Sequence, residues 1–189
     1  MQRSRSHKLP KSKRPLLMPD FTAKNIFDVD FKIIKDMGIK HVLVDLDLTI
    51  RKKMTRTLEP EIKTFLTTQF KKHGFSSLSI ASNNMLNLSA YSKPLHARLF
   101  QPFWVGVHLI RKPSERFYGR ILKALGAKAS ETVMIGDKLR GDVYGGNVAG
   151  MLTVMVEPKG ADYWYDKILF TRMRERRLLK QFEGSEIQA

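Results

Sequence analysis

The stretch that decides the fold is His41–Ile50, which reads HVLVDLDLTI. Its first half is apolar and rich in valine, as expected of a strand buried on both faces of a parallel sheet. Two carboxylates then follow, Asp45 and Asp47, and Thr49 comes two residues later. Open α/β sheets bind their ligands at the carboxyl ends of their strands. We therefore predict a strand that ends in a functional site, with Asp45 as the nucleophile.

Further apolar segments predict four more strands, with helical patterns between them. The strands are expected at 78–81, 105–110, 132–135 and 151–156. Helices are expected at 25–37, from Leu58 to Gly74 and from Pro113 to Gly126, with a glycine ending each of the longer two. Strands that alternate with helices imply crossover connections. The predicted fold is α/β, a doubly wound parallel sheet of about five strands.

Composition restricts the class of protein. The 189 residues suit one domain with a hydrophobic core and tails. The absence of cysteine excludes disulfides, thiolate metal sites and cysteine nucleophiles. No apolar run approaches the roughly 20 residues that a membrane-spanning helix needs. We expect a cytoplasmic protein and leave peripheral membrane association open.

The positive charge is concentrated at the two ends of the chain. Lysine and arginine number 34 against 18 acidic residues, a net charge of +16. We divide the chain into a basic disordered tail at 1–15, a core at 16–160, and a C-terminal basic amphipathic helix with a tail at 161–189. The helix suits an anionic membrane surface, or it packs on its own domain with a solvated basic face. A phosphorylated substrate, a lipid surface or a nucleic acid would each serve as the anionic partner.

Polar residues come directly after the predicted strands, whose carboxyl ends meet at one crevice in a doubly wound sheet. They are Asp45 and Asp47, Ser82 and Asn83, Lys112, and Asp137 followed by Asp142. Each signal alone also occurs at capping turns, surface helix starts or glycine-rich loops. All of them in this order, each after an apolar strand, indicate one catalytic site.

The acidic residues of this set suit phosphoryl transfer. Attack by Asp45 on phosphorus would form an acyl phosphate and split one displacement into two. Oxygens of Asp45 and Asp137, with the backbone carbonyl of Asp47, suit a hard cation such as Mg²⁺, which offsets repulsion between carboxylate and phosphate. Asp47 is predicted to act as general acid toward the leaving oxygen and then as general base toward water.

The remaining residues of the set are predicted to support this chemistry. Lys112 supplies a compact positive charge for the nucleophile and the transferring phosphoryl group. Ser82 and Asn83 would bind phosphate oxygens through free N–H groups at the start of a following helix. Thr49 and Asp142 are expected to support the site.

These motifs resemble the four motifs of the haloacid dehalogenase-like (HAD) superfamily. The resemblance rests on residues 45–49, Ser82, Lys112 and Gly136-Asp137 with Asp142. It implies a Rossmann-like core and Mg²⁺-dependent phosphoryl chemistry. Because Asp47 is present, it favours a phosphatase, a phosphoric monoester hydrolase, over phosphonate or dehalogenation chemistry.

A closer resemblance is to the YqeG family of type IIIA HAD phosphatases. It is carried by Pro19-Asp20, Ser82-Asn83-Asn84, Lys112-Pro113, residues 142–150 and residues 174–179. That family is similar to mitochondrial phosphatidylglycerophosphate phosphatases, which implies a phospholipid monoester as substrate. Two departures are Leu48, where the family usually has Asn, and residues 138–141, which replace a Gln-Leu-Leu-Thr type of run.

The spacing of the motifs leaves little room for a cap domain. Only a short loop fits between Thr49 and the helix near Leu58, and 29 residues separate Ser82 from Lys112. The resulting open crevice favours substrates whose bulk stays outside, such as a lipid head group at an anionic membrane. Two alternatives are a phosphatase acting on nucleic-acid ends or nucleotides, and a non-catalytic nucleic-acid-binding or assembly protein on a HAD scaffold.

Overall fold

The strand predicted from His41 onward is an internal strand, fifth in the order of a seven-stranded sheet. A computed structural model describes residues 1–3, 16–52 and 55–159 of the chain. The strands are β1 (Gln2–Arg3), β2 (Phe21–Ala23), β3 (His41–Val44), β4 (Ser77–Ala81), β5 (Arg98–Phe100), β6 (Phe103–Val105), β7 (His108–Ile110), β8 (Thr132–Gly136) and β9 (Leu152–Val156). The main sheet has the order β1-β2-β9-β8-β3-β4-β5. All its pairs are parallel except β1 with β2. The α/β parallel sheet is confirmed, with six parallel strands rather than about five.

Helices cover both faces of this sheet. They are α1 (Phe31–Asp36), α2 (Pro60–His73), α3 (Ser89–Ser92), α4 (Glu115–Leu125) and α5 (Gly145–Val148). The predicted ends of α2 and α4 are confirmed, because Gly74 and Gly126 adopt left-handed φ values of 62° and 60° there. The predicted helix at 25–37 is instead a 3₁₀ turn (Ile26–Asp28) followed by α1, whose N-cap is Asp30.

Strand β3 is buried because its side chains alternate between two apolar layers. Val42 and Val44 pack in a cluster that includes Ile62 and Leu66 of α2. Leu43 packs in a second cluster with residues of α4 and β8: Phe117, Tyr118, Ile121 and Met134. Since β4 and β8 flank β3 on both sides, the strand is enclosed in all directions. Asp45 follows directly after it, at the carboxyl ends of the parallel strands.

The prediction of a single strand at 105–110 is wrong. These residues belong to an antiparallel hairpin outside the main sheet, in which Val105 pairs with His108 and Trp104 with Leu109. Gly106 has a φ of 58° at the first position of the two-residue turn, where a glycine tolerates the positive angle. The edge of the sheet is formed by β5 instead, and Lys112 follows the hairpin rather than a strand of the sheet.

The segment before the first helix is fixed to the sheet by polar contacts. Asp20 Oδ2 accepts a hydrogen bond from the backbone N–H of Thr153 at 2.9 Å. Asn147 Nδ2 donates to the carbonyls of Leu16 and Met18 at 2.8 and 2.9 Å. This docking places β2 beside β9, which adds a strand that the sequence had not predicted.

The chain up to Lys159 forms one unit. Gln2 and Arg3 lie in β1, in contrast to the tail expected at 1–15. The rest of that tail and the predicted C-terminal helix at 161–189 lie outside the described residues. Within the described part, only short elements separate the motifs, and no cap domain interrupts the core. None of the helices described there is long and apolar enough to cross a membrane.

Candidate active site

The centre of the site is a buried ion-pair network around Lys112. Asp45 follows β3 directly, and its N–H donates to the carbonyl of Ile135 at 2.8 Å, which continues the pairing with β8. Lys112 Nζ donates to Asp45 Oδ1, to Asp142 Oδ1 at 2.7 Å and to the Ala81 carbonyl at 2.9 Å. These contacts use all three ammonium protons. Lys112 therefore lies against Asp45 in the structure, and its part in catalysis stays a prediction.

The charges of this network perturb one another because solvent is excluded. Burial alone would lower the pKa of Lys112, but the carboxylates of Asp142 and Asp45 outweigh it and raise that pKa above its ordinary value. Burial raises the pKa of the Asp142 carboxyl, which the Lys112 ammonium partly offsets. Lys112 consequently stays charged, and it holds one oxygen of Asp45 in place.

The second oxygen of Asp45 has no hydrogen-bond partner within the described residues. A buried carboxylate oxygen without a partner is costly unless something else satisfies it. Asp45, Asp137 and Asp142 are all buried, and they can each bring one ligand atom within 4.8 Å of the others. Asp142 is already bonded to Lys112 and to the backbone N–H of Lys138. The hard oxygens of Asp45 and Asp137 therefore fit a divalent cation such as Mg²⁺, as the sequence suggested.

The loop after β8 brings Asp142 and Lys138 to this cluster. Asp142 lies in a π-helical segment, Leu139–Tyr144. A Cβ on Gly136 would lie 2.2 Å from Asp142 Oδ2, so only glycine permits this approach. Burial would lower the pKa of Lys138, but Asp45 and Asp137 raise it, which places this lysine among the site's charges. No role was predicted for Lys138, although its position next to Asp137 was a signal.

Two further contacts support the acidic residues. Thr49 Oγ1 donates to Asp137 Oδ1 at 3.4 Å, in keeping with its predicted supporting place. Tyr118 is fully buried and donates its hydroxyl to the Gly141 carbonyl at 2.8 Å. The sequence had offered Tyr118 no role, because its position in α4 is adjacent to the apolar stripe that the pattern identified.

Asp47 lies in a separate arrangement formed largely by its own turn. Arg51 Nε donates to Asp47 Oδ1 at 2.6 Å, and Arg51 Nη2 contacts the same oxygen. Arg51 Nη1 donates to the Tyr91 hydroxyl at 2.7 Å, and the guanidinium lies 4.7 Å from the centre of the Tyr91 ring. Asp47 Oδ2 accepts from Ser82 Oγ at 3.4 Å. The contacts of Arg51 with Asp47 and Tyr91 were not predicted, although Arg51 lies only four residues after Asp47.

Leu48 occupies an unusual backbone conformation in this turn. Its φ is 65°, in the left-handed region where asparagine is several-fold enriched and leucine is uncommon. Its N–H donates to the Arg51 carbonyl at 3.0 Å, and its carbonyl accepts from the Lys159 N–H at 2.6 Å. The side chain is buried. Leucine at position 48 thus lacks the preference of asparagine for this backbone conformation, but it buries an apolar side chain there.

Ser82 and Asn83 lie beside the ion-pair network but differ in detail from the prediction. No helix starts directly after them in the structure, since α3 begins only at Ser89. The Ser82 N–H donates to Phe100 O, and Ser82 Oγ accepts from the Asn84 N–H. The side chain of Asn83 bonds both backbone groups of Lys112, at 2.9 and 3.1 Å. Asn83 therefore positions Lys112, and phosphate binding by these two residues stays a prediction.

Comparison with known proteins identifies the class. A family model described as HAD-hydrolase-like matches residues 109–160. The chain is 29% identical over 167 residues to a protein of Bacillus subtilis (strain 168) named "Probable phosphatase YqeG", covering 88% of this chain and 91% of that one. The matched segment is similar to HAD-like hydrolases, and the two similarities together indicate a phosphatase.

Two other relatives extend the comparison. The chain is 25% identical over 154 residues to "Phosphatidylglycerophosphate phosphatase 1, chloroplastic/mitochondrial" of Arabidopsis thaliana, covering 77% of this chain and 42% of that protein. The chain thus spans less than half of the plant protein. The crystal structure of an uncharacterized protein from Listeria monocytogenes serotype 4b has a TM-score of 0.50 and 18% identity, covering 67% of this chain and 84% of that one. This last likeness concerns the fold alone.

Proposed function

We propose that the chain is a Mg²⁺-dependent phosphatase that removes the phosphate of a phospholipid monoester, such as phosphatidylglycerophosphate, through an aspartyl-phosphate intermediate on Asp45. The observation that carries the chemistry is the unsatisfied Asp45 oxygen beside Asp137, with Lys112 fixing the other oxygen. The lipid substrate is supported by the similarity to the plant phosphatidylglycerophosphate phosphatase. The open edge of the sheet is compatible with a substrate whose bulk stays outside.

The reaction has two displacements at phosphorus. In the first, Asp45 forms a bond to phosphorus, the bond from phosphorus to the alcohol oxygen breaks, and Asp47 gives that oxygen a proton. In the second, water attacks the aspartyl phosphate, Asp47 takes a proton from the water, and phosphate leaves while Asp45 is regenerated. Asp47 Oδ1 is held by Arg51, so Oδ2, which faces Ser82, is the oxygen available to carry the proton.

The charges around Asp45 have separate tasks. Lys112 holds the nucleophile in one orientation and offsets part of the charge on the transferring phosphoryl group. Mg²⁺, held by Asp45, Asp137 and the backbone carbonyl of Asp47, would polarise the phosphoryl oxygens and reduce repulsion toward the nucleophile. Thr49 and Asp142 keep Asp137 and Lys112 in position.

The test measures phosphate release from phosphatidylglycerophosphate in vesicles, from p-nitrophenyl phosphate and from phosphorylated oligonucleotides, with Mg²⁺ and after chelation. We expect activity that needs Mg²⁺ and falls by at least about a thousandfold in Asp45→Asn. Asp28→Asn, an exposed acid on the 3₁₀ turn before α1, is the control. Equal, metal-independent activity in Asp45→Asn would refute the mechanism. Release from phosphorylated oligonucleotides alone would refute the lipid substrate and favour a nucleic-acid phosphatase.

A further inference from the structure

Exposed apolar side chains are concentrated in two segments next to Lys112. Among the described residues, eight large apolar side chains are exposed, and five of these lie in the loop after β4 and in the β6–β7 hairpin. We call these five the apolar rim: Met85, Leu86, Trp104, Val105 and Val107. Their exposed fractions range from 45% to 83%. Such a local concentration marks an interaction surface more often than isolated exposed residues do.

Hydrogen bonds join the two segments to each other and to the site. Gln101 Nε2, just before the hairpin, donates to the carbonyls of Asn84 and Leu86, both at 2.7 Å. The Asn83 side chain bonds the backbone of Lys112, which follows the hairpin by two residues. The hydrogen bonds of Gln101 and Asn83 therefore hold the apolar rim next to Lys112, at the carboxyl ends of the parallel strands where Asp45 also lies.

The charge around the rim is positive. No acidic residue occurs between Glu61 and Glu115, a segment that contains the whole rim. Arg111 is exposed next to Lys112, and the exposed Arg120 lies with its guanidinium 4.2 Å from the centre of the Phe103 ring at the base of the hairpin. A surface that combines a tryptophan and aliphatic tips with arginines matches the interface of an anionic bilayer.

We propose that the apolar rim inserts into the surface of an anionic phospholipid bilayer and holds the catalytic edge against the head groups. This inference rests on the proposed function, because it supplies the route by which a membrane lipid would reach Asp45. Charge complementarity selects the bilayer over a second copy of the chain, since two surfaces of a protein with a net charge of +16 repel each other. Arg111 and Arg120 would face lipid phosphates while the rim enters the acyl boundary.

The first experiment measures insertion without using activity. The chain has two tryptophans, so Trp164→Phe leaves Trp104 as the sole reporter. With vesicles of phosphatidylcholine and phosphatidylglycerol we expect a blue shift of the emission and quenching by brominated acyl chains. Pure phosphatidylcholine vesicles should give a much smaller change. An emission spectrum that is unaltered at saturating anionic lipid overturns the proposal.

The second experiment compares Leu86→Ser/Trp104→Ser/Val107→Ser with Leu16→Ser/Ile33→Ser, which changes exposed apolar residues outside the rim. Vesicle co-sedimentation should weaken about tenfold or more in the rim variant and stay unchanged in the control. Hydrolysis of p-nitrophenyl phosphate should be unchanged in both. A rim variant that binds vesicles normally, or that loses the soluble activity too, overturns the proposal.

Two outcomes separate this proposal from its alternatives. If sedimentation velocity shows a wild-type dimer that the rim variant dissociates, the rim binds a second copy and the proposal fails. If the wild type binds anionic vesicles through the rim but hydrolyses no phosphate ester, the proposed function fails while the membrane surface stands.

Discussion

The two carboxylates at the end of β3 are two residues apart in the chain but lie in different surroundings. Asp45 is 2% exposed, and its cationic partner, Lys112, is 67 residues away in the sequence. Asp47 is less buried, and its partner is Arg51, four residues along the same turn. Asp45 keeps one oxygen without a hydrogen bond in the described structure, whereas both oxygens of Asp47 are bonded.

The different contacts of Asp45 and Asp47 suit different tasks. A long-range ion pair that leaves one oxygen available suits a nucleophile that binds a cation. A short-range clamp by a planar guanidinium, itself stacked on Tyr91, suits a proton carrier that must present one oxygen in a fixed direction. The tasks proposed for the two aspartates differ because different segments of the chain supply their partners.

The largest effect on stability is expected from Lys112→Met. Removal of the ammonium leaves Asp45 and Asp142 as neighbouring buried carboxylates, so we expect a loss of about 3–5 kcal/mol in the free energy of unfolding. Urea unfolding measures this loss. Lys112→Met/Asp142→Asn should recover part of it, because one of the two uncompensated charges is then gone. A single variant as stable as wild type would show that the network contributes little.

Gly136→Ala tests the Lys112–Asp142 contact by steric crowding. The new Cβ would meet Asp142 Oδ2, which must move and loosen its bond to Lys112. We expect a destabilisation of about 1–3 kcal/mol, measured by urea unfolding, with a fall in kcat. Gly119→Ala is the control, because a Cβ on Gly119 meets no atom within 4 Å. Equal effects of the two substitutions would contradict the proposed contact.

Arg51→Met tests the contact between Arg51 and Asp47. Without the guanidinium, Asp47 loses two contacts on Oδ1 and its fixed orientation, so we expect kcat on p-nitrophenyl phosphate to fall about tenfold. KM should change much less, since Asp47 does not bind the phosphoryl group. Arg51→Lys should fail to restore kcat because an ammonium cannot bond Asp47 and Tyr91 in one planar fork. Full activity in Arg51→Lys would show that only the charge matters.

The smallest effect is expected at the other end of β3. Burial lowers the pKa of His41, whose Nδ1 lies 2.8 Å from Ser77 Oγ. Because the unfolded state then binds protons more readily, this contribution to stability is fully present above the unfolded pKa of about 6.5 and is lost as the pH falls from there through the lower pKa of the folded state. Urea unfolding of wild type and His41→Gln should therefore diverge least in acid. A difference that is independent of pH would contradict this assignment.

Local patterns in the sequence determined much of this protein. The buried strand before Asp45, the glycine ends of α2 and α4, and the order of the polar motifs were all predictable. Each depends on periodicity or on residues close in the chain, and these features record burial and turn chemistry directly. The same information failed at 105–110, since a strand and a hairpin with a turn at Gly106 share one apolar pattern.

Tertiary structure decided which charges meet. The pairing of Lys112 with both Asp45 and Asp142, the contact of Arg51 with Tyr91, and the use of Asn83 to hold the Lys112 backbone depend on segments brought together by the fold. A sequence shows that charges exist, but their partners depend on distances and burial that only the folded chain defines. The acidic end of β3 was therefore predictable from its ten residues, while the different surroundings of its two carboxylates were not.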